Sequence, residues 1–378
     1  DARGDANYVD DTPRTFTCQT CHMAASTGVG CNKNGIPARD DLPRHDQTGG
    51  GYWMPDVIAY QLTKGTLRLG DNLTQGELDA MQDGKTRAAG HLASAAQLTA
   101  NEDGGDVAVR VTNLTGHKLI SGYPEGRRMW LDLVWTDDSE TVVLEQGAYG
   151  TIGRTVNDLD GVPHEVETII DPSSTVVYEA KPGLDQEWAQ QLIDLGYDPD
   201  IPLDFDRLTG LPTHTLGELA DATPGTSFES FHFVLNNTLV SDNRIPPFGF
   251  DRDEAESRNA LPVPASQFGD PTPGEAYDYW DENSFSIPPG ATHLTVRLLY
   301  QQTSWEYIQF LWLANDGASP FLGAEGVNML DAWLNTGMSV PIEMTAASIT
   351  LSSSEELFSD GFEGGSTCAW SFATGGCP

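Results

Sequence analysis

Cys18, Cys21 and His22 lie in "TFTCQTCHMAASTGVGC", residues 15–31, and they are the chain's sharpest chemical signal. Two thiols three residues apart, with an imidazole directly after the second, fit covalent haem attachment. Each thiol forms a thioether with a haem vinyl, and the histidine is carried beneath the iron. Zinc and redox sites also use C-x-x-C. The sequence holds no second C-x-x-C pair for zinc, however, and no βαβ pattern surrounds this one. The motif occurs once in 378 residues. One haem c is therefore expected, tethered by Cys18 and Cys21, with His22 as the proximal iron ligand.

The other side of the iron has several candidates. For His45, His91, His117, His164, His214, His232 and His293 an ordinary surface or core role is the default. His45, in "RDDLPRHDQTGGGYWMPD", and His117, in "VTNLTGHKLISGYPEGRRMWL", stand apart by context. Both sit in glycine-containing loops from which a side chain can reach into an apolar pocket. His117 is the first choice for the distal ligand, because a loop joining two strands is rigidly placed. His45 is the second choice, or a ligand to a neighbouring haem. Met23 is too close to His22 in sequence to cross the ring, whereas Met54 or Met129 would be thioether ligands that raise the potential. Arg127 and Arg128 are candidate partners for haem propionates, or else for the chain's many carboxylates. "VSDNRIPPFGFDRDE" gathers Asp242, Asn243, Asp251 and Asp253, a weak Ca²⁺ candidate beside the plainer reading of a solvated acidic loop. "NDLDGVPHEVE", residues 157–167, is similar in kind.

These residues need a scaffold. Residues 1–72 are irregular and rich in Gly, Pro, Asp and Asn, and a haem's apolar face would give such loops something to pack against. Thr74 and Glu77 then form a capping-box pattern. Leu78, Met81, Ala88, Leu92 and Ala95 follow at helical spacing, predicting a helix that ends near Thr99. From Asp106 the period changes to two: Val107, Val109 and Val111, then Met129, Leu131, Leu133 and Trp135. Further strands are expected at 141–145, 175–179, 227–235 and 294–300, with short helices at 186–195, 305–314 and 326–335. The fold class expected is mainly β: an irregular haem-binding N-terminal region plus a helix (1–100), an antiparallel β-sandwich with long loops and short helices (101–350), and a Ser/Gly/acid-rich tail (351–378).

Composition narrows the setting. The formal net charge is −36, from 56 acidic against 20 basic residues, which repels phosphate backbones and anionic membranes, so nucleic acid is an unexpected partner. No apolar run approaches the roughly eighteen residues of a membrane span. No signal-peptide pattern opens the chain, which reads as already processed or as starting internally. Haem thioethers at Cys18 and Cys21, with a loop-closing disulfide between Cys368 and Cys377, would indicate a periplasmic or extracellular compartment and leave Cys31 over.

The ordered blocks "CQTCHM", "RDDLPRHDQTGGGYWMPDV", "VTNLTGHKLISGYPEGRRMWLDL", "SFHFVLNNTLVSDNRIPPFGF" and "YWDENSFSIPPGATHLTVRLLYQQTSWEYIQFL" resemble the C-terminal half of secreted bacterial multihaem c-type cytochromes. The resemblance covers most of residues 14–312. It implies a last haem site followed by a β-sandwich, and electron transfer through a bis-histidine haem. On it, Cys18 and Cys21 are attachment sites, His22 is proximal, and His45 and His117 are distal candidates. Family members usually carry further C-x-x-C-H motifs upstream, whereas this sequence has one. The expected function is electron transfer, with redox proteins or neighbouring cytochrome subunits as partners and a homo-oligomer or filament as one assembly. The alternatives are a structural or adhesive surface protein stapled by haem, and a haem enzyme acting on a small nitrogen or oxygen species.

Overall fold

The computed structural model describes residues 17–70, 72–120 and 123–352. The tail carrying Cys368 and Cys377 lies outside them, and with it the expected disulfide. A single-turn helix α1 (Cys18–His22) leads into a hairpin of β1 (Ala25–Gly28) and β2 (Arg39–Pro43). Helices α2 (Met54–Lys64) and α3 (Gln75–Leu92) follow. Next come β3 (Ala96–Asp103), β4 (Asp106–Asn113), β5 (Arg128–Thr136), β6 (Val142–Gln146), β7 (Tyr149–Asn157), β8 (Pro163–Ile169), β9 (Val177–Tyr178) and β10 (Ala180–Asp185). An insertion holds α4 (Gln186–Asp194), β11 (Pro202–Phe205), β12 (Pro212–Thr215), α5 (Leu216–Ala220), β13 (Ser227–Glu229), β14 (Thr238–Asp242) and α6 (Arg252–Ser257). The chain then returns through β15 (Trp280–Ser286), β16 (His293–Gln301), α7 (Trp305–Leu313), α8 (Glu325–Asn335) and β17 (Ile342–Thr350).

The architecture is mainly β, built from antiparallel sheets with short helices. One sheet runs β15-β4-β3 and another β17-β16-β5-β6, with β9 also on β5. Their inward faces follow from the alternating apolar residues. Val107, Val109 and Val111 from the first sheet meet Leu131, Leu133, Leu294, Val296 and Leu298 from the second in one core. Burying each such side chain stabilises by about 1.5–3 kcal/mol relative to exposure. A smaller core of Leu184, Ala189, Leu192, Leu203, Leu216 and Leu219 holds the insertion together.

Three boundaries differ from expectation. The helix ends at Leu92 rather than near Thr99, and β3 begins at Ala96. Ala95 fits helical spacing, but Ala96, Leu98 and Ala100 point inward at period two and pair with β4. β3 therefore crosses the expected boundary at residue 100, and Tyr52, Trp53, Val57, Ala88 and Leu92 pack into the same core as the sandwich. The expected strand at 227–235 stops at Glu229, where Leu235 and Asn236 N–H groups turn back to the His232 carbonyl. No described helix is long and apolar enough to cross a membrane.

Candidate haem site

In α1 the three motif residues lie within one turn. Cys18 and His22 are four apart and Cys21 is three from Cys18, so all three share a helical face. The Thr17 N–H donates to the Thr20 hydroxyl at 3.2 Å, closing the start of this short helix. Cys18 is exposed, Cys21 half-buried, and neither is in a disulfide. Cys31 is exposed and likewise unbridged among the described residues.

His22 is oriented from outside its own helix. Its Nδ1 lies 2.6 Å from the Thr48 carbonyl oxygen. A carbonyl only accepts, so Nδ1 carries the proton and the lone pair sits on Nε2, the arrangement a metal-binding imidazole uses. The segment after Thr48 is fixed onto the sandwich. The Trp53 N–H donates to Gln302 Oε1 at 2.8 Å, Trp53 Nε1–H to Thr336 Oγ1 at 2.9 Å, and the Tyr52 hydroxyl to the Val340 carbonyl at 2.7 Å. Gly50 passes so close to buried Tyr300 that a Cβ there would meet its hydroxyl oxygen at 2.7 Å. Glycine is required here by contact rather than by an unusual φ.

His117 comes from the loop between β4 and β5, and its ring is 6.2 Å from that of His22, with 22° between the ring planes. Two imidazole–metal bonds of about 2 Å plus the depth of two rings place axial imidazole centroids roughly 6 Å apart. The observed spacing fits that requirement. His117 Nδ1 lies 3.0 Å from the Lys118 carbonyl oxygen, so its lone pair also sits on Nε2. Burial pushes the His117 pKa down, and the neighbouring His22 and Arg244 reinforce this against the Lys118 carbonyl, keeping the ring in the neutral form that a metal requires.

The loop is built around Asn113, which is fully buried. Its Nδ2 donates toward the carbonyls of His117 (2.8 Å), Ile245 (2.9 Å) and Pro246 (3.0 Å), and its Oδ1 accepts from the Thr115 N–H (2.8 Å). Behind it, Asp242 receives Lys118 Nζ at 2.7 Å and Arg244 Nε at 2.7 Å. Burial pushes the Asp242 carboxyl up, but the Arg244 and Lys118 partners outweigh it and hold it below the usual carboxylate range.

A third imidazole was not singled out by sequence. The ring of His91, in the last turn of α3, lies 4.8 Å from that of His22 at 45°. The signal available was its position on the inward stripe of the helix, three residues after buried Ala88 and beside buried Leu92. Ion pairs bind α3 to the loop after β2 and to α2: Arg87 Nε to Asp46 Oδ2 at 2.7 Å, and Lys85 Nζ to Asp56 Oδ2 at 2.6 Å.

Other candidates are placed elsewhere. His45 is exposed after β2 and does not join the cluster of rings. His164 pairs with Asp158, His214 with Asp204, His232 Nε2 with the Pro202 carbonyl, and His293 with Thr292. Met129 is fully buried in the core, and Met54 is packed against it. Arg128 takes the second of its two expected partners, a carboxylate: it is buried, with Nε donating to Gln301 Oε1 at 3.0 Å, Nη2 to Thr168 Oγ1 at 2.7 Å and Nη1 to Glu306 Oε2 at 3.1 Å, so its donors are committed within the fold. Glu306 also lies 3.6 Å from Arg207, and these groups line a separate cavity of about 250 Å³. Arg127 precedes the strand, in a turn where its N–H donates to the Pro124 carbonyl at 3.0 Å, and its charge acts on buried Tyr300, the residue against Gly50. Of the calcium candidates, Asp242 is occupied by two cations, Asp251 accepts the Glu254 N–H as a helix cap, and Asp253 faces Arg252. Among the described residues no three His, Cys, Asp or Glu side chains form a direct metal cage. Asp242 is an ion-pair centre for Lys118 and Arg244.

The fold and site thus define a mainly β protein in which a C-x-x-C-H turn lies beside two further imidazoles. No family model matches the chain, and no curated protein matches it. Among solved structures it is similar to a penta-heme cytochrome c552 from Thermochromatium tepidum, at a TM-score of 0.36 and 16% identity. The match covers 89% of this chain and 48% of that one, so the chain spans about half the length of that structure.

Proposed function

We propose that this chain is a c-type cytochrome that transfers single electrons through one covalently attached haem, with His22 and His117 as axial ligands. The observation that carries the reading is the C-x-x-C-H turn facing a second imidazole at axial spacing, 6.2 Å away, with both rings held through Nδ1. When bound, the haem supplies a reversible one-electron couple whose potential follows its ligands and surroundings. Cys18 and Cys21 would tether it. The Thr48 and Lys118 carbonyls orient the two imidazoles, and the burial of His117 keeps it unprotonated. Two such ligands would leave no position for substrate, which favours electron transfer over catalysis. Arg127, whose charge acts on Tyr300, would be the arginine offered to a propionate.

Thioether attachment at Cys18 and Cys21 would require an oxidising periplasmic or extracellular site of action, with redox proteins as partners. The exposure of His45 favours a second reading, a subunit whose His45 serves the haem of a neighbouring copy in an oligomer or filament. The test is to produce the protein in an oxidising compartment equipped for haem attachment. A pyridine haemochrome assay should give one haem per chain, and the visible spectrum should be low-spin without a CO-sensitive band. A chain without covalent haem refutes the cytochrome reading, and a high-spin, CO-binding spectrum refutes the bis-imidazole assignment. Sizing by light scattering separates a monomeric carrier from an assembly.

A further inference from the structure

We infer that His91 is a reserve axial ligand, able to close the iron opposite His22 when His117 lets go. The inference rests on the haem reading above. Two imidazoles, not one, stand at ring-contact range from His22: His117 at 6.2 Å and His91 at 4.8 Å. Axial spacing needs roughly 6 Å between centroids, so the His91 ring has to turn and shift outward by about 1–1.5 Å to reach it. The two donors are carried differently. His117 sits on a loop whose geometry depends on Asn113 and Thr115. His91 sits on an 18-residue helix locked by Ala88 and Leu92 in the core and by the Lys85–Asp56 and Arg87–Asp46 pairs. The helix therefore keeps an imidazole beside His22 whatever the loop does. An imidazole tethered so near its target competes at an effective concentration on the order of millimolar or above. Other donors are less suited: His45 is exposed, Met129 is buried in the core, and Met54 is packed against it. A reserve ligand would keep the haem six-coordinate through fluctuations of the loop and guard it against capture by small molecules.

The test compares holo-proteins of wild type, His91→Ala, His117→Ala and the double variant, each first assayed for covalent haem by pyridine haemochrome. His117→Ala is expected to remain low-spin. The double variant is expected to become high-spin and to bind CO at least roughly tenfold more tightly than His117→Ala, because no tethered ligand then competes. A high-spin His117→Ala with the CO affinity of the double variant overturns the inference. So does a high-spin His91→Ala, which would make His91 the resting ligand. If His117→Ala does not accumulate as holo-protein, cyanide binding to ferric wild type and His91→Ala decides. Binding at least roughly tenfold faster in His91→Ala supports the reserve role, and equal rates overturn it. Absence of covalent haem in wild type defeats the cytochrome reading itself, whereas loss of the low-spin state in His117→Ala alone defeats only the role of His91.

Discussion

Asn113→Leu should separate the loop that carries His117 from the rest of the fold. Asn113 is fully buried, and its side chain is the hub for three carbonyls and one amide. Its two Nδ2 protons are shared among the carbonyls of His117, Ile245 and Pro246, and its Oδ1 takes the Thr115 N–H, so leucine removes three protons' worth of hydrogen bonding. At roughly 1 kcal/mol net for each bond the loss is about 3 kcal/mol, and carbonyls left dry in the interior add to it. Leucine is similar in size, so lost packing contributes little. Urea unfolding of the holo-protein, followed by far-ultraviolet circular dichroism and by haem absorbance, should show a fall of about 3–4 kcal/mol in unfolding free energy. Because one of the orphaned carbonyls is that of His117, the low-spin electron paramagnetic resonance spectrum should also split into two species. A loss below about 1 kcal/mol would mean that the loop holds without Asn113, and the account of how His117 is positioned would be wrong.

Gly50→Ala should cost about 1–3 kcal/mol, because its Cβ would sit 2.7 Å from the Tyr300 hydroxyl oxygen; Tyr300→Phe in the same chain should recover part of that loss in the urea experiment. Asp242→Asn leaves Lys118 and Arg244 without their buried counter-charge and should destabilise by about 3–5 kcal/mol. The Asp242 carboxyl is held below its usual range when folded, so its contribution is present at neutral pH and lost as pH falls through that depressed folded value. Acid titration of wild type should therefore steepen below about pH 4, and that limb should flatten in Asp242→Asn. Arg127→Ala should lower the haem midpoint potential in a redox titration, since removing a nearby cation favours the ferric state. Arg128→Met should destabilise the fold through Gln301, Thr168 and Glu306 and move the potential less.

The parts legible in the sequence were those whose cause is local. The capping box at Thr74 and Glu77 opens α3 as its residue types require, with Glu77 Oε2 receiving the Thr74 N–H at 2.7 Å. The alternating valines of β4 and the run from Met129 to Trp135 point their apolar sides into one core. His117 stood out because glycine and short polar residues surround it, and the hydrogen bonds that fix it come largely from Asn113 and Thr115 a few positions away. The C-x-x-C-H turn is wholly local. What escaped depends on partners far along the chain. His91 looks like an ordinary helix-ending histidine until residues 18–22 fold against the end of α3.

Arg127 and Arg128 show the difference most clearly, because the sequence set them side by side with equal claims. Strand phase alone separates them: Met129, Leu131 and Leu133 line the core, so Arg128 and Trp130 share the opposite face. On a simple two-layer sandwich that face is wet, and an arginine there is free to meet a ligand. Here it is covered. Trp130 donates its indole N–H to the Gly147 carbonyl at 2.9 Å and stacks against Tyr149, at the start of the β7–β8 hairpin. Arg128 lies opposite Gln301 in the β5–β16 register and reaches Thr168 in β8. Both partners are set by long-range pairing that no local pattern encodes. A charge on a covered face must find its counter-groups within the protein, because an unpaired buried guanidinium costs several kcal/mol. Glu306 and Gln301 fill that need, so Arg128 is spent within the fold, whereas the charge of Arg127 acts on Tyr300, the residue against Gly50.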